Sequence, residues 1–359
     1  MMMKRLFQDV MTGFLAVAKP ILVARLPAHA QIEITTYCNM NCLSCGRRTI
    51  IKKPRHMSLD DFKTIFDGIK PRNVNLSGLG EPLLNPQVFE MIRYAEAQKA
   101  VVNFPTNLAV SKEIIRRLVE SGIDQIKVSI DAATRETYTK VRGQDNFGQV
   151  VANIAYINQL KKEKGLSAPE LRFNFCLQRH NLDELPALIK LAQMSEIKTI
   201  YIQDLNYFSV EAQKSELCGM PLDSLRARLN EADRLARAAG VTTNIDNWMR
   251  NIELYHNKML PKERFQANDI VCSFPWISVF IDVEGNVKPC PVFVWDEHAP
   301  SLGNCLRQPF KEIWNSPAYR KLRREFKKNI REFAICRQCV PPQSMDLKLI
   351  FQRMLITKR

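Results

Sequence analysis

Between Gln31 and about Gly240 the chain alternates between short strand-like runs and longer helix-like runs. "QIEIT", "NVNLS", "VVNFP", "QIKVSI", "LRFNFCL" and "TIYIQ" are rich in the β-branched and aromatic residues that strands favour. The segments between them have helical spacing and recognisable ends. "SLDDFKTIFDGI" starts at Ser58, a capping residue with Asp61 three positions on. "QVFEMIRYAEAQ" follows Asn85-Pro86, with Pro86 expected in the first helical position. A third helix is expected from Ser111 to Ser121-Gly122. "FGQVVANIAYINQLKKEK" follows the fourth strand, and "LDSLRARLNEADRLARAAG" spaces Leu222, Leu225, Leu229 and Leu235 helically before Gly240. Six strand–helix units in succession argue for an α/β fold, a parallel sheet with helices outside it. Periodicity alone leaves a doubly wound sheet and an incomplete barrel both open. In either, functional groups belong at the C-terminal ends of the strands.

From about Val271 the pattern changes. "CSFPWISVFIDVEGNVKPC" reads as two short strands around the turn Glu284-Gly285-Asn286. "FKEIWNSPAYRKLRREFKK" reads as a helix, and Cys336-x-x-Cys339 follows.

Ten cysteines require an explanation. No stretch reaches the ~18 apolar residues of a membrane span, since Lys19-Pro20 interrupts "GFLAVAKPILVARL". No small-residue cleavage site follows the N-terminal apolar part, so a cytoplasmic location is expected. There, metal or redox chemistry is a better expectation than a disulfide framework. Cys38-x3-Cys42-x2-Cys45 stands directly after the first strand. Zinc sites and 4Fe–4S clusters both want four ligands, so three thiolates leave one iron of a cluster open or await a zinc ligand from elsewhere. Cys272, Cys290, Cys336 and Cys339 form a second set of four, sufficient for zinc or for a closed cluster. Cys176 reads as a buried core thiol and Cys305 as packing, while Cys218 has no assigned role.

The net charge of +15 is spread along helix faces such as "KKEK" and "RKLRREFKK". No aromatic-rich basic motif accompanies it, so a solvated surface is expected and nucleic-acid binding is not. Both ends, "MMMKRLFQDVMTGFLAVAKPILVARL" and "MDLKLIFQRMLITKR", are basic and apolar. They suit helices packed on the fold or on a partner, or peripheral contact with a membrane surface and a lipid-linked substrate.

"EITTYCNMNCLSC" resembles the CxxxCxxC hallmark of the radical S-adenosylmethionine (SAM) family, with Leu43-Ser44 where an aromatic residue often precedes the last cysteine. "NLSGLGEPLLNP" resembles that family's segment for the SAM amino group, with Gly80 and Glu81 as contacts and Leu79-Gly80 in place of paired glycines. "FPTNLAV" resembles its "TNG" segment, with Asn107 kept and Leu108 for glycine; "VSIDAATRETYTKVRG" supplies Ser129, Asp131 and Arg142. The resemblance implies a partial (β/α)6 barrel and a 4Fe–4S cluster on Cys38, Cys42 and Cys45 whose open iron binds SAM. It also implies a flavodoxin- or ferredoxin-type electron donor and reductive cleavage of SAM to a 5′-deoxyadenosyl radical. Ser129 and Asp131 are then SAM contacts, and Arg142 a contact to the SAM carboxylate or the substrate; helix capping and surface charge are the alternative for all three. The region around Cys272, Cys290, Cys336 and Cys339 resembles the SPASM/twitch extension. With Met345 where a further cysteine is expected, it implies the shorter twitch form, with one auxiliary 4Fe–4S cluster and dehydrogenase-like oxidation. Residues 1–30 are then an N-terminal extension, 31–245 the barrel, 246–343 a linker and the auxiliary module, and 344–359 a basic tail. Peptide maturation, lipid modification, or a zinc-bound structural or RNA-binding role are the alternatives. The substrate is a small molecule, peptide or lipid.

Overall fold

The structure is a computed structural model, and it describes residues 13–15, 17–205, 217, 220–257, 272–295, 299, 302–336 and 339. Its centre is one sheet. The strands are β1 (His29–Ile32), β2 (Asn73–Asn75), β3 (Val101–Thr106), β4 (Gln125–Ser129), β5 (Glu170–Cys176), β6 (Thr199–Gln203), β7 (Thr242–Thr243), β8 (Ser278–Ile281) and β9 (Val287–Lys288). They lie in the order β7-β6-β5-β4-β3-β2-β1-β8-β9. Every pair is parallel except β8–β9. The six expected strands therefore stand side by side in chain order, as an unbroken run of right-handed crossovers requires. β8 adds to the free edge of β1, with Ala30 opposite Val279, so the C-terminal cysteine region shares the sheet.

The strand residues alternate between two faces. Ala30, Ile32, Val74, Val102, Phe104, Ile126, Val128, Phe173, Phe175, Ile200 and Ile202 are buried beneath the helices. Most of the intervening positions, apart from Val101 and Pro105, are polar, and several are bonded to one another. Asn103 Nδ2 donates to Asn73 Oδ1 at 2.9 Å and Lys127 Nζ donates to Asn103. Arg172 Nε donates to Asn174 Oδ1 at 3.2 Å, and its guanidinium lies 5.1 Å from the Tyr201 ring. The sheet thus has an apolar outer face that makes the core and a polar inner face.

Helix ends follow the capping chemistry in some places and not in others. Ser58 and Ser111 accept from Asp61 N–H and Ile114 N–H and start the helices Leu59–Ile69 and Lys112–Val119. Pro86 does not open a helix, which runs Val88–Ala97 instead. Asn85 ends the short 3-10 turn Pro82–Leu84, donates to Ile34 O and Met57 O at 2.7 and 3.0 Å and accepts Gln87 N–H at 2.9 Å, which ties down the residues before the helix. The stripe of Leu222–Ala238 runs through Leu225, Leu229, Ala232 and Ala236, and Leu235 is exposed. The long C-terminal helix is two, Phe310–Trp314 and Pro317–Lys328, because Ser316 caps the second and Pro317 cannot continue the first.

Residues 20–25 run along the C-terminal region. Trp276 Nε1 donates to Pro20 O and Trp314 Nε1 to Arg25 O, each at 2.8 Å. Asn315 donates to Val23 O at 2.9 Å and accepts Val23 N–H at 3.1 Å. Packing on the fold, one of the two expectations for the N-terminal segment, therefore holds for this stretch. Residues 1–12 and 344–359 lie outside the described residues. Among the described residues no helix is long and apolar enough to cross a membrane.

Candidate functional site

The loop of Cys38, Cys42 and Cys45 leaves the C-terminal end of β1 and is tied down by the loops after β2, β3 and β4. Glu81 N–H donates to Tyr37 O at 2.7 Å. Asn107 Nδ2 donates to Asn39 Oδ1 at 2.8 Å, and Asn39 Nδ2 to Ala109 O at 2.9 Å. Asn41 N–H and Leu43 N–H donate to Arg142 O and Val141 O, at 3.3 and 2.9 Å, at the end of the helix Arg135–Arg142. Gly80 is needed for this closeness: a Cβ there would lie 2.4 Å from Thr35 O and 2.6 Å from Tyr37 O.

Cys38 and Cys42 are half-buried and Cys45 is exposed. Burial pushes the Cys42 thiol up to about 11, against the pull of the Arg142 guanidinium, and burial also raises Cys38. A thiolate is therefore disfavoured there until a cation compensates it, which an iron cluster does. Three thiols from one short loop, with a cationic Arg142 at its back, fit an open-iron cluster. No three His, Cys, Asp or Glu side chains among the described residues converge on a single-ion position. A cluster does not need them to, because it takes each thiolate at a separate iron.

Glu81 is 3% exposed. Its carboxylate accepts from Thr106 Oγ1 at 2.6 Å, Asn107 N–H at 2.7 Å and Leu83 N–H at 3.2 Å. Burial raises its pKa, and those three bonds and Arg142 oppose the rise. Most of its acceptor capacity is thus spent on holding the β2 loop against the end of β3. Asn107 is equally engaged, its Oδ1 accepting Ala109 N–H at 2.8 Å.

Asp131 and Arg142 form a buried ion pair, Arg142 Nη1 to Asp131 Oδ2 at 2.8 Å. Neither serves as a helix cap or as surface charge. Asp131 Oδ1 also accepts Cys176 N–H at 2.7 Å. Burial alone would lower the Arg142 pKa, but Cys42, Asp131 and Tyr138 raise it well above its usual value. Its Nε is buried with no hydrogen-bond partner. Ser129 is half-buried at the end of β4. Cys176 is half-buried rather than a core thiol, one place beyond the inner-face Asn174 and Arg172 series.

The second cysteine set stands elsewhere. Cys272 precedes β8 and Cys290 follows β9, so both lie at the open end of this hairpin, toward the N-terminal ends of the parallel strands. Cys290 feels both Cys272 and Cys339 electrostatically, and Cys339 N–H donates to Cys336 O at 3.3 Å. The structure thus brings Cys272 and Cys339 into reach of Cys290, with Cys336 one turn away from Cys339. Burial pushes the Cys272 thiol up to about 11 and raises Cys290 further. Cys305 is buried in the core cluster, as expected for packing, and Cys218 lies outside the described residues.

Sequence reasoning missed Glu33, Asn39 and Thr106. Asn39 and Thr106 carry no sequence signal beyond their place beside the motifs. Glu33 had one: an acidic residue inside the strand-like run "QIEIT".

Comparison with known proteins agrees with this arrangement. The family model of the radical SAM superfamily matches residues 32–202, and that of the SPASM iron–sulfur cluster-binding domain matches residues 272–340. The AdoMet-dependent heme synthase of Methanosarcina barkeri (strain Fusaro / DSM 804) is 27% identical over 84% of this chain and 86% of its own. The mycofactocin maturase MftC of Mycobacterium ulcerans (strain Agy99) is 25% identical over 81% of this chain and 75% of its own. The crystal structure of Streptococcus suis SuiB bound to the precursor peptide SuiA superposes with a TM-score of 0.65 at 16% identity, covering 88% of this chain and 71% of that one, a likeness of fold. The chain belongs to the radical SAM superfamily and carries a C-terminal SPASM iron–sulfur cluster-binding domain.

Proposed function

We propose that this enzyme cleaves SAM reductively at the Cys38, Cys42 and Cys45 cluster and oxidises a polar substrate in the barrel, with the second cysteine set as electron acceptor. One observation carries this reading: a second group of thiols, Cys272 and Cys290 at the open end of the β8–β9 hairpin and Cys339 in electrostatic reach of Cys290, stands apart from the first cysteine loop, which leaves the C-terminal end of β1. When bound, the first cluster supplies one electron to SAM at its open iron. The chain's own residues do the rest. The backbone of the loop at Gly80 and Glu81 receives the SAM amino end, and Glu81 keeps that loop in place. Ser129 and Arg142 face the carboxylate end, and Asp131 fixes Arg142. Lys127 and Arg172 on the inner face favour a substrate with an anionic group. K127M or R172M should raise the substrate concentration required while uncoupled SAM cleavage persists.

A second reading has support in the names of two relatives, MftC a maturase and SuiB bound to a precursor peptide. Here the inner face would receive a peptide side chain. A flavodoxin- or ferredoxin-type donor and membrane contact through the two termini belong to the same proposal. Liposome co-sedimentation that needs anionic lipid and weakens with salt tests the membrane contact.

The deciding experiment is anaerobic incubation of the reconstituted enzyme with SAM and dithionite. Formation of 5′-deoxyadenosine is expected, and C42A should abolish it. No 5′-deoxyadenosine from a protein carrying its iron rejects the reading.

A further inference from the structure

Glu33 follows β1 and is 1% exposed. The reaction outlined above gives it no task. Its N–H donates to Ile281 O at 2.9 Å and so continues the pairing of β1 with β8. Its carboxylate reaches in two directions. Oε1 accepts Leu79 N–H at 2.6 Å, and Oε2 accepts Val283 N–H at 3.1 Å. Leu79 adjoins Gly80 in the loop after β2, and Val283 lies in the turn between β8 and β9. One side chain therefore bonds the loop assigned to SAM and the turn of the SPASM domain. The contact is tight. A Cβ on residue 78 would sit 2.2 Å from Glu33 Oε1, which explains a glycine at this position.

The two N–H bonds favour an ionised carboxylate, and its burial opposes one. Ionised, it is acceptor only and can serve both N–H groups; protonated, one oxygen carries a proton that faces an N–H donor. Burial pushes the Glu33 carboxyl up to about 7, opposed by the bonds from Leu79 and Val283 and reinforced by Asp282 and Glu284. Of these neighbours, Asp282 accepts Glu284 N–H and Asn286 N–H, with Lys288 in electrostatic reach. Glu284 is ion-paired with Arg55 at 2.6 Å.

We infer that Glu33 is a positioning residue whose carboxylate fixes the loop after β2 and the β8–β9 turn to each other, so that the SAM site and the SPASM domain are mechanically linked through it. The link to SAM rests on the assignment of the Gly80 loop given above.

The test uses the reconstituted enzyme and E33Q, whose carboxamide offers one acceptor oxygen instead of two. Hydrogen exchange is followed by mass spectrometry in peptides covering 77–81 and 281–285. At pH 8 both segments should exchange about tenfold faster in E33Q, and SAM should bind about tenfold more weakly. In the wild type, exchange corrected for its intrinsic pH dependence should slow as pH falls from 8 to 6, because opening the site releases the proton that burial holds on Glu33; in E33Q this change should be missing. A response in one segment only, or the same pH profile in both proteins, overturns the link. Coupled exchange with unchanged SAM affinity overturns its transmission to SAM. Should E33Q not fold, the wild-type profile decides alone, and a flat profile is then the contrary result. A protein that binds no SAM at any pH speaks against the proposed function, while the exchange data still judge the link.

Discussion

At the scale of single residues, close backbone approach and buried charge decide most outcomes. Gly80→Ala places a methyl group against two carbonyl oxygens that belong to the backbone and cannot swing away. The cysteine loop or the β2 loop must then shift, so SAM affinity should drop at least tenfold and iron content at the first site should fall. Wild-type affinity in a folded G80A protein would show that the contact yields. Glu33 adds a pH effect of definite sign. Its carboxyl is raised in the folded state to about 7 from 4.5. The stability it contributes is fully present below about 4.5 and is lost as pH rises through 7. Thermal unfolding of the wild type measured against E33Q should therefore show relative stability declining over that window. A constant difference between the two would mean Glu33 does not titrate there. Leu108 shows what a motif can and cannot tell. Its departure from glycine was legible in "TNL", but its backbone conformation was not. It keeps the glycine-like φ of +53° although fully buried. Such a conformation costs roughly 1–2 kcal/mol for an ordinary residue. Thr106 Oγ1, which accepts Leu108 N–H at 3.0 Å, and Asn153, which donates to Leu108 O at 2.8 Å, hold it there.

At the scale of elements, local chemistry was readable and long-range partners were not. The Ser58 and Ser111 caps, the six strands and the hairpin at Gly285 follow from short windows of sequence. The break at Asn315-Ser316-Pro317 was written in the chain but masked by the strong helical character on either side. Which edge β8 joins could not be read, because pairing is set by what the rest of the sheet leaves free. Asp131 and Arg142 look like cap and surface charge until the fold closes them into one ion pair. Residues 20–25 make the same point from the other end of the chain. Arg323 lies between Trp314 and Tyr319, at 4.4 and 4.5 Å from their rings, and donates to Ile21 O at 3.3 Å. It also donates to Asn315 Oδ1 at 3.0 Å. Asn315→Ala removes this partner together with both bonds to Val23. The unfolding free energy should fall by about 1–3 kcal/mol, and trypsin should cut sooner at Arg25. Unchanged cleavage and an unchanged urea midpoint would mean residues 20–25 are held without Asn315.

At the scale of the whole molecule, the two cysteine sets must differ in what they can do. The first is a single loop with three thiols, and the second draws Cys272, Cys290 and Cys339 from distant parts of the chain, with Cys336 one turn from Cys339. Anaerobic reconstitution should therefore load two clusters, about eight irons per chain; half that amount, or zinc in the second site, would contradict the assignment. Four thiolates would leave a second cluster no open iron, so it should not bind SAM. If it accepts an electron from the oxidised substrate, Cys339→Ala should leave SAM cleavage in place and stop or divert product formation, with the substrate recovered or reduced. Loss of one ligand could also unfold the module, because a bound metal contributes folding energy. Circular dichroism and iron retained at the first site separate these outcomes. The link through Glu33 adds a further reading of the same variant. SAM affinity in folded C339A should stay near wild type, since the β8–β9 turn and its bond to Glu33 lie at the other end of the hairpin from the thiols. A folded C339A protein that still makes oxidised product at the wild-type rate would reduce the second cluster to a structural staple.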